Sequence, residues 1–82
     1  MKLDATVITE LKQPILATWN YIGSDAMEFV QSNAEAMEMV LDAGRLTTCG
    51  NSPRAQELID VLFKEHGYSK VSKFICKNIR LL

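Results

Sequence analysis

The sequence predicts an all-α protein, a small bundle of four to six short helices that ends in a helical hairpin. Three observations lead to this prediction. Apolar residues recur three and four positions apart along most of the chain, which places them on one face of each helix. Residues that commonly cap helices precede several of these stretches, and glycines follow them. The length of 82 residues suits a single helical domain, residues 1–82, with a small core.

The N-terminal stretch predicts two helical segments that meet at Pro14. Asp4 can cap the first segment, because its carboxylate can accept hydrogen bonds from the free amides of the first turn. Pro14 lacks a backbone donor and disfavours a helical Gln13, so we expect a break or kink there. The second segment starts at Pro14 and ends at Gly23, and its β-branched and aromatic content leaves an extended segment as an alternative. The apolar stripes are Val7, Ile8 and Leu11, then Ile15, Leu16, Trp19 and Ile22.

The stretch "SDAMEFVQSNAEAMEMVLDAG" predicts the clearest helix, capped by Ser24 or Asp25 and ended by Gly44. A second capping-box pattern occurs in its middle, at residues 32–35. The stretch is therefore either one helix, over residues 25–43, or two shorter helices with a bend near Ser32. The predicted apolar face consists of Ala26, Phe29, Val30, Met37, Val40 and Leu41.

The C-terminal third predicts a loop followed by two helices. "RLTTCGNS" has the composition of a loop. Ser52 then caps a helix with Pro53 at its first position, and Gly67 ends it. Ser69 is the predicted cap of the last helix. The apolar stripes are Leu58, Ile59, Leu62 and Phe63 in the first helix, and Val71, Phe74, Ile75, Ile79 and Leu82 in the second.

Composition argues for a cytoplasmic protein without a membrane span. The first residues, "MKLDATVITELKQP", are interrupted by charges, unlike the apolar core of a signal peptide. No stretch approaches 18 consecutive apolar residues. The two cysteines are too few for a secreted domain held together by disulfides. We therefore expect a soluble protein in a reducing compartment.

The sequence contains no catalytic constellation, no paired metal ligands and no cofactor motif. Cys49, Cys76 and His66 are the only soft metal ligands, and none has paired spacing. A nucleophile pair of Cys49 and His66 is the remaining enzymatic alternative. His66 is better interpreted as a cation or cap at a helix end, and both cysteines as small apolar residues. We therefore predict no enzyme, no metal site and no cofactor.

Charge is unevenly distributed along the chain. Residues 1–63 carry nine acids and four bases, a net charge of −5, whereas residues 64–82 carry five bases and one acid, a net charge of +4. This asymmetry favours an interaction surface, although a solvated helix face has the same appearance. Four of the bases lie on the polar face of the last helix: Lys70, Lys73, Lys77 and Arg80.

The hairpin resembles the first two helices of a helix-turn-helix, which makes a small DNA-binding regulator the main alternative. A third helix, which normally reads the bases, does not follow within the sequence. Only Asn78 and Arg80 could reach base edges from the last helix. The isoelectric point near 5.7 also makes nucleic acid an unfavoured partner.

Binding to a protein partner is the favoured interpretation, with a homo-oligomer as a further possibility. Met27, Met37 and Met39 are close in sequence, and methionines suit either a core or an adaptable binding surface. If Met39 faces outward from the stripe of Val40 and Leu41, part of this helix has a second apolar face. The candidate contact residues are Lys70, Lys73, Lys77, Arg80, Tyr68 and Met39.

Over its whole length, from "MKLDATVITELKQPILATWNYIGSDAMEFV" to "FKEHGYSKVSKFICKNIRLL", the chain resembles the RIII family of lysis-inhibition accessory proteins of T-even bacteriophages. The resemblance lies in length and in the general run of the sequence. It implies a non-enzymatic protein of the host cytoplasm that helps to delay lysis by acting on the phage holin, alongside a periplasmic antiholin. A soluble segment of that membrane protein is then the expected partner.

Overall fold

The computed structural model describes residues 1–48 and 52–79, and within them it contains six α-helices and no strand. The predicted all-α class and the C-terminal helical hairpin are therefore confirmed. The helices are α1 (Ala5–Ile22), α2 (Ser24–Ser32), α3 (Ala34–Asp42), α4 (Arg45–Thr48), α5 (Pro53–His66) and α6 (Tyr68–Asn78).

Helix α1 runs continuously through Pro14, so the predicted break at this residue is wrong, and so is the extended alternative. Asp4 caps the helix as predicted, with its carboxylate accepting from the amide of Thr6 at 3.0 Å. The apolar residues before and after the proline are buried in one core. Because this packing holds both halves of the stripe against the same neighbours, it offsets the cost of one missing backbone hydrogen bond. The buried residues of the stripe are Val7, Leu11, Ile15 and Trp19.

The middle of the chain forms two helices, α2 and α3, which confirms the second of the two predicted alternatives. The α3 cap is Asn33 rather than Ser32. Its side-chain oxygen accepts hydrogen bonds from the amides of Glu35 at 3.0 Å and Ala36 at 3.2 Å.

The break at Asn33 changes which side of α2 is buried. Met27 and Val30 enter the core, whereas Phe29, which we predicted to be buried, is 60% exposed, and Ala26 is also exposed. The predicted stripe assumed one unbroken helical period from residue 25 to residue 43. An interruption of that period lets α2 turn a different side towards the core.

Replacing Asn33 with alanine is expected to destabilise the protein by about 1 kcal/mol, because two amides of the first turn of α3 lose their side-chain acceptor. Urea unfolding followed by far-UV circular dichroism measures this loss. Asn33→Asp, which keeps the acceptor oxygen, should retain most of the stability. An equal loss in both variants would show that the cap does not stabilise α3.

The segment "RLTT" forms the short helix α4, so the prediction of a loop is wrong for these residues. Leu46 is completely buried and anchors this turn to the core. Cys49 lies outside the described residues. Helix α5 begins as predicted: Pro53 is in its first turn, and the Ser52 hydroxyl accepts from the amide of Ala55 at 3.2 Å.

Helix α6 begins two residues earlier than the sequence indicated, because its N-cap is Gly67 and not Ser69. Gly67 has φ 89° and ψ 152°, a backbone conformation open almost only to glycine. Its amide donates to the carbonyl of Phe63 at 2.8 Å, which closes α5. One glycine therefore ends α5 and starts α6.

The core lies between α1, α3, α5 and α6, and α3 packs more extensively against α6 than any other pair of helices does in the described part of the chain. Cys76 is half-buried against this core, as predicted for a small apolar residue. Leu82, which we predicted to join the α6 stripe, lies outside the described residues. The other predicted residues of the α5 and α6 stripes are buried except Phe74, which is half-buried.

Candidate functional site

The exposed side of α6 carries Lys70, Lys73 and Lys77, which we call the basic face. All three side chains are exposed. Among residues 1–48 and 52–79, no carboxylate oxygen lies within 4.0 Å of their amino groups. These charges therefore repel one another along one side of the helix without a close counter-ion, and they attract acidic groups from solution.

A groove runs along the basic face, and its walls are partly apolar. We call it the basic groove, and it is lined by Leu3, Lys70, Lys73, Phe74, Lys77 and Asn78. Leu3 and Phe74 are half-buried and pack against the core. An apolar strip bordered by cations can hold an apolar side chain and pair with acidic groups beside it.

Leu3 is positioned in this groove by contacts of the first residue. The Met1 ammonium group forms an ion pair with the Glu65 carboxylate, which lowers the pKa of Glu65. The Met1 carbonyl contacts Nε2 of His66. These contacts hold the N-terminal segment at the end of α5, next to the start of α6.

A second groove lies between α3 and α6, and Lys73 belongs to both grooves. Its lining residues are Ala34, Glu35, Glu38, Met39, Ser69 and Lys73. Met39 is 71% exposed, so its side chain faces away from the buried stripe of this helix. The packing of α3 on α6 therefore places Met39 beside the basic face.

Tyr68 is the first residue of α6 and lies away from the basic face, because a helix turns by about 100° per residue and residues 68 and 77 are therefore on opposite sides. Its ring is half exposed and packs against Phe63, with the ring centroids 4.5 Å apart and the planes inclined at 52°. This tilted arrangement is favourable for aromatic rings and limits the motion of the tyrosine. Tyr68 also lines a shallow depression with Asp42 and Lys64. A ring already ordered in this way loses little entropy when a partner covers it.

The structure thus brings four of the six predicted contact residues together, Met39, Lys70, Lys73 and Lys77, whereas Tyr68 lines a separate depression. The sixth, Arg80, lies outside the described residues. Sequence reasoning missed Leu3, because no local pattern places residue 3 beside residue 74. The sequence prediction placed Phe74 in the core stripe. Its spacing from Lys70 and Lys73 indicated instead a position at the boundary between the core and the basic face.

Cysteine, histidine and acidic side chains are the candidate metal ligands and nucleophiles. The described residues contain no group of three or more histidine, cysteine and acidic side chains that could hold a metal ion. The Cys76 thiol lies 3.7 Å from the Val30 carbonyl, and burial raises its pKa, which disfavours the reactive thiolate. The suggested pairing of Cys49 with His66 cannot be placed, because Cys49 lies outside the described residues. None of the helices in residues 1–48 and 52–79 combines the length and apolar character of a membrane span.

Fold and site together define a small all-α protein with a basic, partly apolar helix face. Comparison of the chain with protein-family models, with curated proteins and with solved structures found no match.

Proposed function

We propose that this chain is a small non-enzymatic regulatory protein that binds another protein through the basic groove and the neighbouring Met39. The observation that carries the proposal is the basic face, three lysines that border the apolar pair Leu3 and Phe74 and have no carboxylate oxygen within 4.0 Å in the described part of the chain. Protein interfaces commonly have this arrangement, with an apolar centre and a charged rim.

The chemistry of the groove defines the partner surface. An acidic segment with an apolar side chain would satisfy both the lysines and the apolar strip. The exposed Met39, on the other side of Lys73, would extend the apolar contact, because an unbranched thioether adapts to different shapes.

The resemblance to the lysis-inhibition accessory proteins narrows the proposal to the cytoplasmic segment of a phage holin, bound in the host cytoplasm. Binding would act by population shift, because a ligand favours the assembly state for which it has the higher affinity. A segment held in the basic groove would be withheld from holin assembly, and lysis would be delayed.

Duplex DNA is the second candidate, because three exposed lysines that form no ion pair with the described residues could also contact phosphates. However, Glu35 and Glu38 line the groove that shares Lys73. Their carboxylates would repel a phosphate backbone laid along the basic face. A short acidic segment can bind at Lys70 and Lys77, which do not line the groove of these glutamates, whereas a phosphate backbone carries a charge at every nucleotide. The acidic neighbours therefore favour a protein partner over a nucleic acid.

Charge reversal on α6 tests the proposal. We expect the variant with Lys70→Glu, Lys73→Glu and Lys77→Glu, called the α6 reversal, to capture its partner at least about tenfold less well, because like charges then face each other across the interface. The measurement is recovery of bound protein by the tagged chain from detergent-solubilised host and infected cells, with and without nuclease.

The matched control reverses the other three lysines of the chain, Lys2, Lys12 and Lys64, which are all exposed. It changes the net charge equally and should leave capture unchanged. If both variants keep their helicity and lose partner capture equally, the loss is due to net charge alone. That result would exclude the basic groove as the binding site. Capture that disappears on nuclease treatment would establish the DNA-binding alternative.

A further inference from the structure

The outward side of α2 is an acidic face with an exposed aromatic ring. Asp25, Glu28, Phe29 and Ser32 are all exposed and lie at positions i, i+3, i+4 and i+7 of one helix. This spacing aligns their side chains along one side. Helix α2 contains no basic residue, and Phe29 is 60% exposed. We call these four residues the acidic face.

The basic groove repeats this spacing with the opposite charge. Lys70, Lys73, Phe74 and Lys77 also occupy positions i, i+3, i+4 and i+7 of their helix. In both helices a phenylalanine is at i+4, and charged residues are at i and i+3. The two faces are therefore complementary in charge and matched in spacing.

The two faces cannot meet within one molecule, because α2 and α6 already contact each other through other sides. The Gln31 side-chain amide donates to the Ile79 carbonyl at 3.5 Å, and the Cys76 thiol donates to the Val30 carbonyl at 3.7 Å. These contacts direct the acidic face and the basic face away from this shared contact, into solvent. A second copy of the chain can bring them together.

We propose that the acidic face of one copy docks into the basic groove of another. Phe29 covers the apolar strip formed by Leu3 and Phe74, and Asp25 and Glu28 pair with the lysines at its border. Aromatic and apolar contact at the centre supplies the affinity, and the opposite charges select the register. Each copy offers one acidic face and one basic groove, so the contact is heterologous, joining different surfaces of the two copies.

Self-association of this kind would regulate the proposed function, because it occupies the basic groove. The inference itself does not depend on that function. It concerns only copies of this chain, and it is tested with the purified chain and no other protein. A failure to capture a partner from cells therefore leaves it standing.

The first test is sedimentation velocity of the full chain over a range of concentrations and at low and high salt. We expect the average mass to rise with concentration and to fall when salt screens the charges. Phe29→Ala should raise the dissociation constant at least about tenfold, as expected for a central aromatic contact. A chain that stays monomeric at millimolar concentration in low salt would overturn the proposal.

Charge exchange provides the second test. The α6 reversal and the variant with Asp25→Lys and Glu28→Lys, called the α2 reversal, should each be monomeric. Mixing them in equal amounts should restore association, because each reversed face then meets a complementary one. Circular dichroism must show that both variants are folded.

If the reversal of Lys2, Lys12 and Lys64 leaves association of the chain unchanged, the basic groove is supported. If the mixed variants stay apart while folded, or if either reversal alone still associates like the original chain, the pairing of these two faces is wrong.

Discussion

Replacing Trp19 with alanine is expected to lower the free energy of unfolding by about 3–5 kcal/mol. Trp19 is 1% exposed and is the largest of the fully buried side chains among the described residues. Its indole N–H has no hydrogen-bond partner within that part of the chain. The loss therefore comes from apolar packing rather than from a broken hydrogen bond. Because small domains are stabilised by only about 5–15 kcal/mol, this single change brings the protein close to unfolding.

Urea unfolding followed by far-UV circular dichroism measures the effect, since the only tryptophan of the chain is lost and its fluorescence cannot be used. Phe29→Ala is the matched control, because it truncates an aromatic ring that is 60% exposed. We expect its effect to stay within about 0.5 kcal/mol. Similar losses in the two variants would contradict the assignment of Trp19 to the core and Phe29 to the surface.

Gly67→Ala should destabilise the protein by about 1–3 kcal/mol, the cost of placing a side chain in a backbone conformation that only glycine adopts readily. Gly67 has φ 89° and ψ 152°. A Cβ atom added at this position would meet no other atom within 4 Å. The cost is therefore conformational, and neighbouring side chains cannot relieve it by moving.

Ser69→Ala is the control for Gly67→Ala. If Ser69 capped α6, as its position in the sequence suggested, the alanine would cost about 1 kcal/mol. Because Gly67 is the N-cap and no side chain caps α6, we expect Ser69→Ala to have almost no effect on the urea midpoint. A larger loss for Ser69→Ala than for Gly67→Ala would show that α6 begins differently.

Local signals were reliable where they agreed with one another. In α5, Ser52, Pro53 and the apolar period all indicated the same helix, and the structure contains it from Pro53 to His66. In α1, the proline disagreed with the apolar period, and the period was the better guide. A proline inside a helix costs a few kcal/mol of folding free energy, whereas burial of a whole apolar stripe contributes more.

The lysines of the candidate site could be identified from the sequence because helical period alone puts Lys70, Lys73 and Lys77 on one side of α6. The apolar part of the site could not be identified from the sequence. Leu3 reaches Phe74 only through the folding of the chain, and the exposure of Phe29 depends on the turn that α2 makes at Asn33.

By itself, the sequence determined the all-α class, the caps at Asp4 and Ser52, the hairpin at Gly67 and the cationic side of the last helix. These are properties of neighbouring residues, set by backbone preference and by the helical period. The tertiary structure alone decided that α1 continues through Pro14, that Phe29 is exposed and that Met39 lies beside Lys73. Each of these depends on contacts between distant segments, whose packing free energy exceeds the local preferences that the sequence displays.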